Sequence, residues 1–158
     1  MKTAPSSSAG CAEIVIEVRP LAPADRDDWE RLARGYKGFY EDDVPDEIYA
    51  RTWALVLAGE TIHGLCAELD GRMVGIAHFL FHPHSWSGEV CYLQDLFTAP
   101  EARGKGVATA LIDAAAEAAR ARGVRRFYWL TKEDNKTARA LYERIARFKG
   151  FLRYDYPL

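Results

Sequence analysis

The spacing of apolar and polar residues changes period several times along the chain, and each change predicts an element. Residues 13–19, Glu-Ile-Val-Ile-Glu-Val-Arg, are β-branched, partly alternating and ended by Pro20, which predicts a strand. Over residues 23–40 the period lengthens: Trp29, Leu32, Ala33, Tyr36 and Tyr40 recur on one helical face. Pro23 suits the first turn of that helix, and Asp25, Asp27 and Asp28 suit its positive end. Gly35 and Gly38 weaken it and predict that its second half bends or opens. After the acidic link Glu41-Asp42-Asp43, a second helix is predicted over 45–57, stopped by Gly59. Strand patterning then returns. Residues 65–69 and 73–81, joined by Asp70-Gly71, predict a hairpin, and 89–98 predicts a third strand beyond a polar, aromatic connection at 82–88. A helix over 104–122 carries Val107, Leu111, Ala115 and Ala119 on one side and meets Gly123 at its end. A strand at 126–131, a helix from Asn135 to about residue 147 and a last strand at 150–157 complete the pattern.

The order β, α, α, three strands, α, β, α, β predicts a mixed α/β chain folded as one layered domain over 13–158. The unit at 89–131 is expected to be a right-handed parallel crossover. The first 12 residues, rich in Ser, Ala, Gly and Pro, are expected to be a disordered tail.

Composition changes this picture little. At 158 residues there is enough chain for one core, and 49% apolar and 28% charged residues are ordinary for a soluble globular protein. A formal net charge of −2 supplies no basic field for nucleic acid. No apolar run approaches a membrane span, and no apolar region near the N-terminus reads as a secretory signal. Cys11, Cys66 and Cys91 are odd in number and widely spaced, which makes neither a disulfide framework nor a zinc pattern. Cys66 and Cys91 read as small buried hydrophobes, and cytoplasmic residence is the expectation. His78, His82 and His84 suit a strand end and loop better than a metal site, so no metal is expected.

The chemistry starts at residues 101–112, Glu-Ala-Arg-Gly-Lys-Gly-Val-Ala-Thr-Ala-Leu-Ile. Two glycines and two cations lead straight into a helix. Gly104 and Gly106 allow a sharp bend and close approach of a ligand to the main chain. The first helical turn carries unpaired N–H groups at the positive end of the helix dipole, and Arg103 and Lys105 add charge, so the site favours an anion. A Walker loop needs a spacing absent here, and a dinucleotide fingerprint needs a glycine where Thr109 stands. The pyrophosphate of coenzyme A and a bare helix start without ligand are the other two readings.

Residues 93–109, Leu-Gln-Asp-Leu-Phe-Thr-Ala-Pro-Glu-Ala-Arg-Gly-Lys-Gly-Val-Ala-Thr, resemble the acetyl-CoA motif of the GNAT superfamily of N-acetyltransferases, with Arg103-Gly104-Lys105-Gly106-Val107-Ala108 filling its second half. A second block, Asn135-x-x-Ala138-x-x-Leu141-Tyr142, resembles that family's Asn…Ala…Tyr segment. Tyr92-Leu93-Gln94-Asp95-Leu96-Phe97 and Gly35-Tyr36-x-x-Phe39-Tyr40 are similar to the branch holding the spermidine/spermine acetyltransferases and their bacterial and fungal relatives. The chain departs from that branch at Gln94, where a carboxylate is usual, and in the eight residues separating Tyr142 from Gly150-Phe151, which imply a longer last helix or an extra turn.

The resemblance implies a mostly antiparallel, twisted mixed sheet of six or seven strands flanked by about four helices. It also implies transfer of an acetyl group from acetyl-CoA to a primary amine of a small molecule such as a polyamine or amino acid. A protein-lysine or N-terminal acetyltransferase and a non-catalytic acyl-CoA-binding module are the alternatives. By the same resemblance Leu96, Phe97 and Thr98 hold the pantetheine arm along the strand edge. The backbone of Arg103, Gly104, Lys105, Gly106, Val107, Ala108 and Thr109 takes the pyrophosphate, Asn135 contacts the arm, and Tyr142 is the general acid. Asp95 is a candidate base, directly or through water, or else a structural acceptor. Strand alternation puts it opposite Gln94. Tyr40, Glu41, Trp86 and Gln94 are candidates to line the amine pocket. Relatives imply a homodimer, with the C-terminal aromatic strand as a means of pairing.

Overall fold

The computed structural model describes residues 14–158; the expected N-terminal tail and Cys11 lie outside the described residues. Strand β1 (Ile16–Pro20) leads through a single 3-10 turn, Pro23–Asp25, into α1 (Arg26–Phe39) and then α2 (Asp46–Ala58). Three antiparallel strands follow, β2 (His63–Leu69), β3 (Arg72–His84) and β4 (Gly88–Thr98). A second 3-10 turn, Pro100–Ala102, precedes α3 (Val107–Ala121), β5 (Phe127–Trp129) and α4 (Lys136–Ile145). The sheet has five strands in the order β1-β2-β3-β4-β5. The chain divides into a larger unit ending at Tyr128 and a smaller one, Trp129–Leu158.

The Asp70-Gly71 turn forms as its sequence demands. Both residues have positive φ, 53° and 74°, the requirement of a two-residue hairpin loop of the primed kind. One corner is held by charge: Arg19 of β1 donates to both carboxylate oxygens of Asp25 (2.7 and 2.9 Å) and to Glu68 of β2. The buried carboxyl of Asp25 is consequently held below the usual carboxylate range, chiefly by the Arg19 hydrogen bond.

Alternation along β3 sends successive side chains to opposite faces. Gly75 faces α3, where an added Cβ would lie 2.7 Å from Val107 Cγ1 and 3.0 Å from Leu111 Cδ1. His78 faces α1, where it meets Trp29. The apolar stripe of α3, with Val107, Leu111, Ile112, Ala115 and Ala119 all buried, packs on one face of the sheet. Trp29, Leu32 and Ala33 of α1 are buried against the other. Each large apolar side chain so buried stabilises by about 1.5–3 kcal/mol.

Four expectations are corrected. Helix α1 does not open at its glycines: Gly35 lies against the ring of Phe97, at a distance that would leave a Cβ 2.9 Å from Cζ, so glycine serves close packing there. Helix α3 starts at Val107 rather than at 104, because Gly104 and Gly106 have φ of 74° and 89°. β3 runs on to His84, so the connection shrinks to a turn at 85–87. The last strand does not form. Helix α4 ends at Ile145, residues 146–158 have no regular structure, and the eight-residue spacing to Gly150-Phe151 is spanned by irregular chain rather than a longer helix. The sheet accordingly has five strands where six or seven were expected.

Candidate active site

Strand β4 is broken where the site begins. Its register with β3 pairs His78 with Asp95 and Phe79 with Leu93, so Gln94 is an extra residue without a partner across the ladder. Such a bulge re-aims the side chains beside it. Gln94 is exposed, while Asp95 points back over the sheet toward α1.

There Asp95 joins a hydrogen-bonded chain. The indole Nε1–H of Trp29 donates to His78 Nε2 at 2.9 Å, and His78 Nδ1 meets Asp95 Oδ2 at 2.9 Å. The Tyr36 hydroxyl donates to the same carboxylate. Burial pushes the Asp95 carboxyl up, but the hydrogen bonds from His78 and Tyr36, the His78 interaction and the nearby charge of Lys37 outweigh it, and the group titrates below the usual carboxylate range. Burial and the Asp95 charge raise both Tyr36 and Tyr40, so both phenols stay protonated at neutral pH. The rings of Tyr36 and Tyr40 meet edge-on with centroids 5.1 Å apart. The result is an anion in an aromatic setting.

Beyond the bulge, β4 leads to the bend. β5 is only three residues long and lies beside the first half of β4, where Cys91 N–H donates to Arg126 O and Tyr92 stacks on Tyr128 at 5.0 Å. Among the described residues, the outer edge of Leu96–Thr98 thus has no strand along it. Thr98 Oγ1 is buried without a hydrogen-bond partner among these residues. At the start of α3, Gly106 is the N-cap and no side chain caps the helix. The first helical bond runs from Ala110 N–H to Gly106 O, which leaves the N–H groups of Val107, Ala108 and Thr109 without intrahelical acceptors. Arg103 and Lys105 are exposed beside them, and nothing lies within 4 Å of a Cβ placed on Gly104. Donors, dipole, cations and open space together fit a diphosphate.

The remaining candidates are dispersed. Glu41 is exposed at the end of α1 with φ 54°. Trp86 is 93% exposed in the β3–β4 turn, about 20 Å along the strand from Asp95 at 3.3 Å per residue, so it is not brought to this cluster. In the smaller unit Asn135 caps α4, its side chain accepting from Ala138 N–H at 3.4 Å, and the rings of Tyr142 and Trp129 lie 5.3 Å apart. The three histidines of β3 have separate partners: His82 meets Tyr128 and His84 meets Arg126. Among the described residues no group of three or more His, Cys, Asp or Glu is placed to hold a metal ion, and no helix is long and apolar enough to cross a membrane. Tyr36 and His78 as partners of Asp95, and Trp29 behind His78, are not found by sequence reasoning. The available signal was a single imidazole inside the apolar run 73–81.

The Acetyltransferase (GNAT) family profile matches residues 27–148. A D-amino-acid N-acetyltransferase of Saccharomyces cerevisiae is 33% identical over 135 residues, covering 83% of this chain and 84% of that protein. A thialysine N-epsilon-acetyltransferase of Sus scrofa is 34% identical over 135 residues, 85% of this chain and 76% of that one. In structure, a ribosomal-protein-alanine N-acetyltransferase from Brucella melitensis superposes with a TM-score of 0.77 at 26% identity, over 91% of this chain and 99% of the other. An aminoglycoside N-acetyltransferase in complex with CoA shares the fold, with a TM-score of 0.82 at 18% identity over 94% and 97% of the two chains. With a family match across most of its length and relatives above 30% identity over four-fifths of it, the chain belongs to the GNAT family of acetyltransferases.

Proposed function

We propose that this acetyltransferase moves the acetyl group of acetyl-CoA to the primary amine of a small cationic molecule by direct attack. The observation that carries the reading is the uncapped start of α3, with three free N–H groups between Arg103, Lys105 and two left-handed glycines. The amides of 103–109 would hold the diphosphate, and the outer edge of Leu96–Thr98 would take the pantetheine arm as an added strand. The bound coenzyme supplies an activated thioester. One N–H of Leu96–Thr98 polarises its carbonyl, and Asn135 contacts the arm. A lysine-like amine of pKa about 10.4 is neutral in only about one molecule in 10³ at pH 7. The site must therefore attract the cation and also let its proton go. Asp95 attracts it, with Tyr36 and Tyr40 about the acceptor, and the proton leaves through water. As the nitrogen–carbon bond forms and the carbon–sulfur bond breaks, the Tyr142 hydroxyl gives its proton to the departing sulfur, and the second proton lost by the nitrogen passes into water, from which the phenol is restored.

Relatives named for a D-amino acid and for thialysine support an amino-acid-like acceptor. CoA release should be measured with acetyl-CoA against D- and L-amino acids, thialysine, polyamines, aminoglycosides and peptides with free N-termini or lysines. Turnover with a small amine is the expected result. Turnover with peptides alone would favour the protein-modifying alternative, consistent with the ribosomal-protein-alanine acetyltransferase among the structural neighbours. Acetyl-CoA binding without transfer to any acceptor would favour a sensor.

A further inference from the structure

In β3 every residue from Met73 to Phe79 is buried, and His78 is the one polar side chain among them. A buried imidazole is tolerated only with both ring nitrogens satisfied, and here each has a partner with a definite role. An indole N–H can only donate. His78 Nε2, 2.9 Å from Trp29 Nε1, must therefore accept, and the ring hydrogen sits on Nδ1, facing Asp95 Oδ2 at 2.9 Å. The donor from α1 and the accepting carboxylate thus require the same tautomer. Trp29 is fully buried and held by Trp53 at 5.2 Å, so the donor itself has little freedom. Tyr36 grips the carboxylate from α1 as well.

We propose that His78 is a positioning residue for acetyl transfer: fixed as the Nδ1–H tautomer by Trp29, it holds the Asp95 carboxylate toward Tyr36 and Tyr40, where the ammonium end of the acceptor is received. The proposal rests on the reading of Asp95 given above. It assigns specificity as well as geometry, because an anion held in one orientation between phenol rings favours a cationic acceptor over a neutral one. The titratable groups facing Asp95 are His78 from β3, Tyr36 and Lys37 from α1 and Tyr40 at its C-cap, with Tyr92 of β4 beside Tyr36. Of these, the hydrogen bonds of His78 and Tyr36 and the charge of Lys37 favour the ionised carboxylate.

The test compares His78→Leu, which deletes the donor, with His78→Asn, whose amide N–H can stand near the place of Nδ1. In His78→Leu, kcat/KM for the amine should fall about tenfold to a hundredfold, the worth of a hydrogen bond to a charged group. The acid limb of its pH profile should move to higher pH as Asp95 loses a partner. His78→Asn should stay within a few-fold of the parent, and acetyl-CoA affinity should be unchanged in both. Equal losses in the two variants, or an unmoved acid limb, overturn the proposal. A reading independent of turnover and of any variant comes from long-range 1H–15N spectra of the labelled parent protein. Nitrogen-bound hydrogen on Nδ1 of His78 is expected, and hydrogen on Nε2 overturns the proposal even if the variants do not fold. Absence of CoA release from the parent with every amine would sink the acetyl-transfer reading and leave the tautomer result standing.

Discussion

A carboxyl held below its usual range is a weak base for an amine that titrates near 10, and this limits what Asp95 does in the proposed reaction. Its value lies in remaining charged while half-buried: it draws in an ammonium and orients it, and the lost proton has water as its route. In the proposed reaction Tyr142 has the opposite task, giving the proton of its hydroxyl to the departing sulfur. Replacing Tyr142 with Phe removes only the hydroxyl. We expect kcat to fall about 10²-fold or more, within the range for a general acid, while acetyl-CoA binds with unchanged affinity in calorimetry. A variant turning over at the parent rate would assign the proton elsewhere. Both residues stand out in the sequence because each sits in a spaced motif, 93–109 for one and 135–142 for the other, while the roles given them are part of the proposal. His78 does not, because its pairing with Asp95 depends on a register that only the Gln94 bulge creates.

At the scale of elements, α3 has two parts to play: its N-terminus forms the bend proposed to hold the diphosphate, and its buried stripe fastens that bend to the sheet. The helix itself was legible from the period of Val107, Leu111, Ala115 and Ala119, but its starting residue was not, since nothing in that period marks where φ turns positive. Gly75 is where the two roles meet. A valine there gains at most about 1 kcal/mol in strand preference. Against this stands a Cβ 2.7 Å from Val107 Cγ1 and 3.0 Å from Leu111 Cδ1, closer than packed atoms approach. Overpacking of this kind costs about 1–3 kcal/mol and should win. Gly75→Val should therefore lower Tm by several degrees, at about 2–4 °C per kcal/mol for a chain of this size. Because Val107 is the first residue of α3, the displacement should also weaken acetyl-CoA binding, and calorimetry on the folded variant checks this. Unchanged stability together with unchanged affinity would mean that the helix start is not held from Gly75.

For the molecule as a whole, the largest departure from expectation is at the C-terminus. Leu152, Tyr154 and Tyr156 alternate with Arg153 and Asp155, a strand pattern by period, yet these residues form no strand. Alternation specifies which face a side chain takes, and a ladder further requires a neighbouring edge to bond with. Phe148, Phe151, Leu152, Tyr154, Tyr156 and Leu158 are instead 74% exposed or more. Exposed large apolar side chains gathered in one segment mark a contact site. We propose a homodimer, as the resemblance implied, in which a second copy covers this segment and completes the strand its alternation predicts. A chain ending at Lys149 lacks most of that surface while keeping α4 and all five strands. Sedimentation should then find the full chain at twice its 17.8 kDa mass and the shortened one at the monomer mass. If the full chain sediments as a monomer at assay concentrations, or the shortened one still as a dimer, the C-terminal segment is not what joins the copies, and its apolar side chains must be covered in some other way.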